Sequence, residues 1–278
     1  MGINVKTNIG KGEVQKHPDY LSTVKELLFQ LADDDFIISY RGSEWLGLAP
    51  HIEEDVAFSS ITQNTMGHAA IYYELLEELG VGPRDDLAHI RPVDERKNAI
   101  LLELENGSGH YLHEPNFDWA FTVIRHYLYE TNKHIRLQSL KHSSYQPIAE
   151  VAEKILLEQY YHIIHWENWF EQLMKANEES RLKMIAALEK AWDQTEDLIT
   201  LGPKADQMKQ FHLIEDEQQL RETFLHKTEN FFANVGIAHV KEPKMTLGNG
   251  REGQHLQALS DALTTLSEVY TLDLAATW

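Results

Sequence analysis

No cysteine occurs among the 278 residues, which excludes disulfides, thiolate metal ligands and a Cys nucleophile, and suits a reducing compartment. Cations are scarce. Lys and Arg number 25 against 44 Asp and Glu, and the net charge of −19 opposes nucleic acid and anionic membrane surfaces. Any anionic ligand would need a local basic patch. No apolar run reaches the length of a membrane-spanning helix. The opening MGINVKTNIGKGEV lacks the apolar core of a secretory signal, and Lys6 stands where myristoylation needs Ser or Thr, so a cytoplasmic protein is expected. Strand signals are few, and no internal repeat or low-complexity tract is present. What is there, 42% hydrophobic residues, suffices to bury a sizeable core.

Apolar residues recur at three and four almost throughout, which predicts an all-α chain. Residues 1 to about 18 read as a polar arm. Tyr20, Leu21, Val24, Leu27, Leu28 and Leu31 mark a short amphipathic helix that Asp33-Asp34-Asp35 should end. A helix from Phe36 to Leu48 carries Glu44 near its end and stops at Ala49-Pro50, because the residue before proline avoids the α region. A long helix from Ile52 to Leu79 carries His68 and meets stop signals at Gly80 and Gly82-Pro83. Residues 83 to 115 are less regular, with a turn cluster at Asn106-Gly107-Ser108-Gly109. Helices follow from Asn116 to about His142, carrying Glu130, Lys133 and His134, and from Pro147 in a first turn to Ala176, carrying Gln159 and His162. Shorter ones fit 180 to 200, 215 to 235 and 254 to 272. The expected division is an arm and short helix over residues 1–34 and a helical domain over 35–278.

Gly248-Asn249-Gly250-Arg251-Glu252-Gly253 matches the dinucleotide fingerprint letter for letter, but that motif works only between a strand and a helix of a βαβ unit. The context here is helical, so the match is set aside. The same loop holds Glu252-x-x-His255, the chain's only Glu-x-x-His. Its Gly253 makes a poor helical chelator, and a loop or helix-cap role is expected for His255.

Two other segments, Thr65-Met66-Gly67-His68 and Gln159-Tyr160-Tyr161-His162, keep the histidine of such a pair on long helices and lack its glutamate. In ferritin-like carboxylate proteins each Glu-x-x-His pair supplies a Glu and a His to a di-iron centre, and two further helices add a Glu apiece. Glu44 and Glu130 sit on two other helices at comparable depth. The pattern predicts a ferritin-like helical bundle with additional flanking helices, one that kept the bundle and gave up the metal.

The stretches Arg41-Gly42-Ser43-Glu44-Trp45-Leu46-Gly47-Leu48-Ala49-Pro50, Met66-Gly67-His68-Ala69, Glu158-Gln159-Tyr160-Tyr161-His162 and Gly253-Gln254-His255-Leu256, with the terminal Trp278, resemble the phenylacetyl-CoA epoxidase family, and within it the non-catalytic subunit. The resemblance covers about residues 35 to 278. Laid on this chain, the di-iron ligand pattern of that family's catalytic subunit falls on Glu44, on Thr65 and His68, on Glu130, and on Gln159 and His162. Four carboxylates have become two. Two iron ions bring at least four positive charges and need bridging carboxylates, and neutral Thr65 and Gln159 cannot bridge. Lys133, one turn from Glu130, would place an ammonium where a metal would sit.

The resemblance therefore implies no catalytic residue, metal or cofactor in this chain. It implies di-iron in a partner catalytic ferritin-like subunit, an NADPH-dependent reductase, and a complex with further subunits that turns the ring of phenylacetyl-CoA into an epoxide. Two alternatives stay open. One is an independent oxidase or oxygenase with a metal on Glu44, His68, Glu130 and His162; the other is a CoA-thioester binding module. For CoA phosphates the candidate patch is Arg125, Lys133, His134, Arg136 and Lys141, against a plain solvated helix surface. Tyr72, Tyr73, Tyr160, Tyr161, Trp166, Trp169 and Phe170 offer either an interface or intrachain core.

Overall fold

The structure, a computed structural model, describes residues 9–276 apart from 239; Trp278 and the first eight residues of the expected arm lie outside that range. Helices α1 (Lys11–Val14), α2 (Pro18–Ser43), α3 (Ile52–Glu78), α4 (Arg84–His89) and α5 (Ile100–Glu103) precede a small hairpin, β1 (Gly107–His110) and β2 (His113–Phe117). Then come α6 (Trp119–Leu140), α7 (Gln146–Ala176), α8 (Glu178–Trp192), α9 (Glu196–Ile199), α10 (Ala205–Gln210), α11 (Glu217–Asn234) and α12 (Gln257–Ser267). The chain is all-α, with the long helices of a ferritin-like bundle and additional flanking helices. None of the described helices is long and apolar enough to cross a membrane.

Two compact units divide the chain. The first takes the residues up to Leu27 with Phe117–Thr246, the second Leu28–Asn116 with Leu247 onward. In the first unit α6 is the central helix: apart from Trp119, His134 and Gln138 every residue of it is buried. It starts where Asp118 accepts a hydrogen bond from the Phe121 amide, an N-cap that satisfies one of the helix's orphan donors. Pro147 sits in the first turn of α7, where its missing N–H costs nothing. Aromatic rings fill the space among α6, α7, α8 and α11. Tyr127 stacks on Phe231 at 4.5 Å, Phe170 meets the same ring edge-on at 5.2 Å, and Trp192 meets Phe232 at 5.6 Å.

The expected arm is folded from residue 9 onward. Ile9 and Val14 are buried, and the Ile9 amide donates to the Ser144 carbonyl at 2.8 Å. A second expectation fails at the three aspartates, because α2 runs unbroken through them and the 34/35 boundary falls inside it. They do not stop the helix because they are buried with partners. Asp33 accepts hydrogen bonds from Tyr73, Arg91 and the Lys97 amide, and Asp34 takes both guanidinium nitrogens of Arg251 at 2.8 Å plus the Ala99 amide at 2.9 Å. Buried and paired carboxylates are tolerated where lone ones would not be.

The helix also ends earlier than the proline suggests. Residues 44–48 are turns, Gly47 has φ +78°, and Glu44 lies one residue past the helix. In α2, a Cβ on Gly42 would stand 2.4 Å from Thr62 Oγ1, so the glycine sets how closely α2 and α3 cross. Residues 107–109 of the expected turn cluster lie in strand β1 instead, paired with β2. The expected helices at 180–200 and 254–272 each divide, into α8 and α9, and into α12 followed by a 3₁₀ turn over Tyr270–Leu272.

Candidate functional site

In the first unit, α6 and α7 bring four of the singled-out residues together. Glu130 and Lys133 are one turn apart on α6, Gln159 and His162 one turn apart on α7, and all four are buried. The Gln159 amide donates to a Glu130 carboxylate oxygen and, at 3.1 Å, to the Glu130 carbonyl. His162 Nδ1 lies 3.5 Å from the other carboxylate oxygen. Burial by itself would push the Glu130 carboxyl up. The His162 imidazole, the Lys133 charge and the Gln159 amide outweigh it and hold the group at about 2. Lys133 also lies over the Tyr129 ring, 5.7 Å from its centroid.

The second unit holds the other three. Glu44 accepts from Arg41 Nη1 at 3.1 and 3.2 Å and from the Asn106 amide at 2.9 Å. Arg41 in turn is fixed by the Glu103 and Ala258 carbonyls at 2.7 and 3.0 Å. Thr65 is buried and returns its hydroxyl proton to the Ile61 carbonyl at 2.9 Å, a usual bond for a threonine inside a helix. His68 is buried in the middle of α3.

The ligand half that α6 and α7 carry does not fit iron. It offers one carboxylate, already occupied by an amide and beside an ammonium, where a metal pair requires a second anionic oxygen to bridge. Among the described residues no three His, Asp or Glu side chains form a group that could hold a metal ion.

The candidate phosphate patch is corrected. Arg125, Lys133 and Arg136 are buried, because the central helix of the unit has almost no solvent face. His134 cannot supply the charge either: desolvation, with Lys227 and Lys141 nearby, lowers it to about 4. Of the aromatics, Tyr72, Tyr73, Trp166 and Phe170 are core, and Trp169 is half-buried against Trp119 at 5.3 Å. Tyr160 and Tyr161 face solvent.

The glycine-rich loop is packed against the chain itself. A Cβ on Gly250 would come within 1.9 Å of the Asn98 carbonyl oxygen, and one on Gly253 within 2.3 Å of that of Asp94. These glycines admit the protein's own backbone rather than a pyrophosphate. The His255 side chain is enclosed, with Nδ1 2.8 Å from the Glu103 carboxylate and Nε2 3.0 Å from the Arg96 carbonyl. Burial opposes its charge, and the Glu103 carboxylate more than compensates, raising it above the ordinary histidine value.

Sequence reasoning missed the ionic core of the second unit, which is Asp33 with Arg91 and Arg96, Asp34 with Arg251, and Glu103 with His255. One signal was available. Val24, Leu28 and Leu31 continue in phase to Ile38, which argues for a helix running through the aspartates.

The family described as phenylacetic acid catabolic protein matches residues 9–278. The chain is also similar to one component of the 1,2-phenylacetyl-CoA epoxidase of Escherichia coli (strain K12), the subunit designated C. The two are 28% identical over 241 residues, covering 85% of this chain and 92% of that protein.

Proposed function

The chain belongs to the phenylacetic acid catabolic protein family, and from that premise we propose that it is a structural, non-catalytic subunit of a multicomponent oxygenase that epoxidises the ring of phenylacetyl-CoA. The observation that carries this reading is the state of Glu130. Glu130 is the one carboxylate of the buried cluster it forms with Lys133, Gln159 and His162, and those three neighbours hold it ionised. Glu130, Lys133, Gln159 and His162 are then, within the first unit, the remnant of half of a di-iron ligand set, and the sequence keeps the residues of the other half at Glu44, Thr65 and His68. The hydrogen bonds and ion pairs that replaced the metal keep the helices in register, a task that needs no redox chemistry.

On this reading the iron belongs to a catalytic ferritin-like partner and the electrons come from an NADPH-dependent reductase. This subunit supplies a helical surface for the partner to assemble on. Both parts of the reading can be tested. The purified chain with reductase, NADPH and phenylacetyl-CoA should give no epoxide, and adding the cognate catalytic subunit should give a stable complex that does. Turnover by the isolated chain would instead support the independent oxygenase. Loaded with ferrous iron under anaerobic conditions, the chain should retain well under two irons; retention of two would overturn the vestigial site.

A further inference from the structure

Helix α7 is apolar on two opposite sides. One side, with Gln159, Ile163, Trp166 and Phe170, is buried in the first unit. The other carries Leu157, Tyr160, Tyr161 and Ile164, spaced by three, one and three residues so that they form one stripe along two turns. These side chains are 74, 59, 71 and 37% exposed. A helix face that stays in water normally carries charged and polar residues, and a contiguous apolar row on it marks a contact surface. The two tyrosine rings meet edge to face at 5.4 Å and together present one aromatic surface.

The rim of the stripe is acidic. Glu150, Glu153 and Glu158 are all exposed on the turns around Leu157, with Lys154 between them. A second copy of this chain is a poor occupant, because each copy brings a net charge of −19 and like charges meeting across an interface oppose association. The charge selects a partner of the opposite kind. Building on the proposed function, we propose that the Leu157–Ile164 stripe docks an apolar helix face, rimmed by Lys and Arg, on the catalytic ferritin-like subunit of the complex. The tyrosines fill the centre of that contact, and the glutamates steer and orient it.

The test uses the full chain and the cognate catalytic subunit. Leu157→Asp with Tyr161→Asp places two carboxylates in the centre of the contact and should weaken the complex by on the order of a thousandfold, the scale of losing two hot-spot residues. The far-UV spectrum should be unchanged, since both side chains are exposed. Ile52→Asp with Val56→Asp, on the exposed face of α3, should leave affinity intact. Because the chain has no cysteine, Tyr161→Cys and Leu182→Cys can each carry a single benzophenone maleimide, which decides the question even if the aspartate variant folds poorly. Cross-linking to the catalytic subunit from position 161 and not from the exposed position 182 on α8 supports the proposal. If wild type binds the catalytic subunit and the aspartate variant binds equally well, or only position 182 cross-links, this docking surface is wrong while the proposed function stands. If wild type does not bind that subunit at all, the function itself falls. Self-association of the wild type that the aspartate variant loses would assign the stripe to a second copy and overturn the proposal.

Discussion

Gln159→Glu tests the contact on which the vestigial site rests. In the wild type the Glu130 carboxyl falls from its ordinary 4.5 to about 2, which corresponds to about 3 kcal/mol of preference for the ionised form. Replacing the amide with a carboxylate removes a donor and places a like charge at hydrogen-bond distance. At an effective dielectric of about 20, two charges roughly 3 Å apart repel by about 5 kcal/mol. The fold need not bear all of that, because one carboxyl can take a proton and become a donor to the other. Protonating an ordinary glutamate at pH 7 costs about 3 kcal/mol, and about 0.7 kcal/mol at pH 5.

The signs for the two proteins are opposite. A depressed carboxyl contributes stability that is present above 4.5 and lost only as pH falls through about 2, so between pH 5 and 7 the Glu130 contribution in the wild type is flat. A raised carboxyl in the variant is favourable below its unfolded value and loses that advantage as pH rises. Gln159→Glu should therefore be destabilised by about 3 kcal/mol at pH 7 and by under about 1 kcal/mol at pH 5. Urea unfolding followed by tryptophan fluorescence reads both values, with Trp119 and Trp166 inside the same unit. Gln159→Met is the control; it removes the amide without adding charge and should cost about 2 kcal/mol at both pH values. An equal loss at the two pH values for Gln159→Glu, or no loss, would mean that Glu130 and residue 159 do not meet.

Gly250→Ala should destabilise by about 3 kcal/mol or more, since its Cβ would press on the Asn98 carbonyl, whereas Gly67→Ala, exposed in α3 with nothing within 4 Å, should gain about 0.5–1 kcal/mol. Thermal melts of the two variants decide this, and a mild Gly250→Ala would contradict the packing of the loop. Asp33→Asn should cost about 3–5 kcal/mol by leaving Arg91 and Arg96 buried without their carboxylate, measured by urea unfolding near neutral pH. For His255, whose folded value is raised, the stabilisation is complete below the unfolded value near 6.5 and is lost as pH rises through the folded value. Its advantage over His255→Asn should accordingly shrink on going from pH 6 to pH 9 in paired unfolding curves.

Local pattern alone determined most of the helices. The apolar period over residues 52–79, the glycine stops after it and the proline at 147 place α3 and α7 to within a residue or two, because helix signals act over one or two turns. The i, i+3 spacing of Glu130 with Lys133 and of Gln159 with His162 likewise follows from the sequence, since residues one turn apart share a helix face. What faced them was not written there. That Gln159 donates to Glu130 depends on how α6 and α7 pack, and that Arg125, Lys133 and Arg136 are core rather than surface depends on α6 being covered on all sides. Asp33 and Asp34 carried a local meaning, a helix stop, that distant partners overrode: Arg91 lies 58 residues away and Arg251 217 residues away. A charge can be buried only where its counter-charge is brought to it, and in this chain the counter-charges come from segments that local pattern cannot pair.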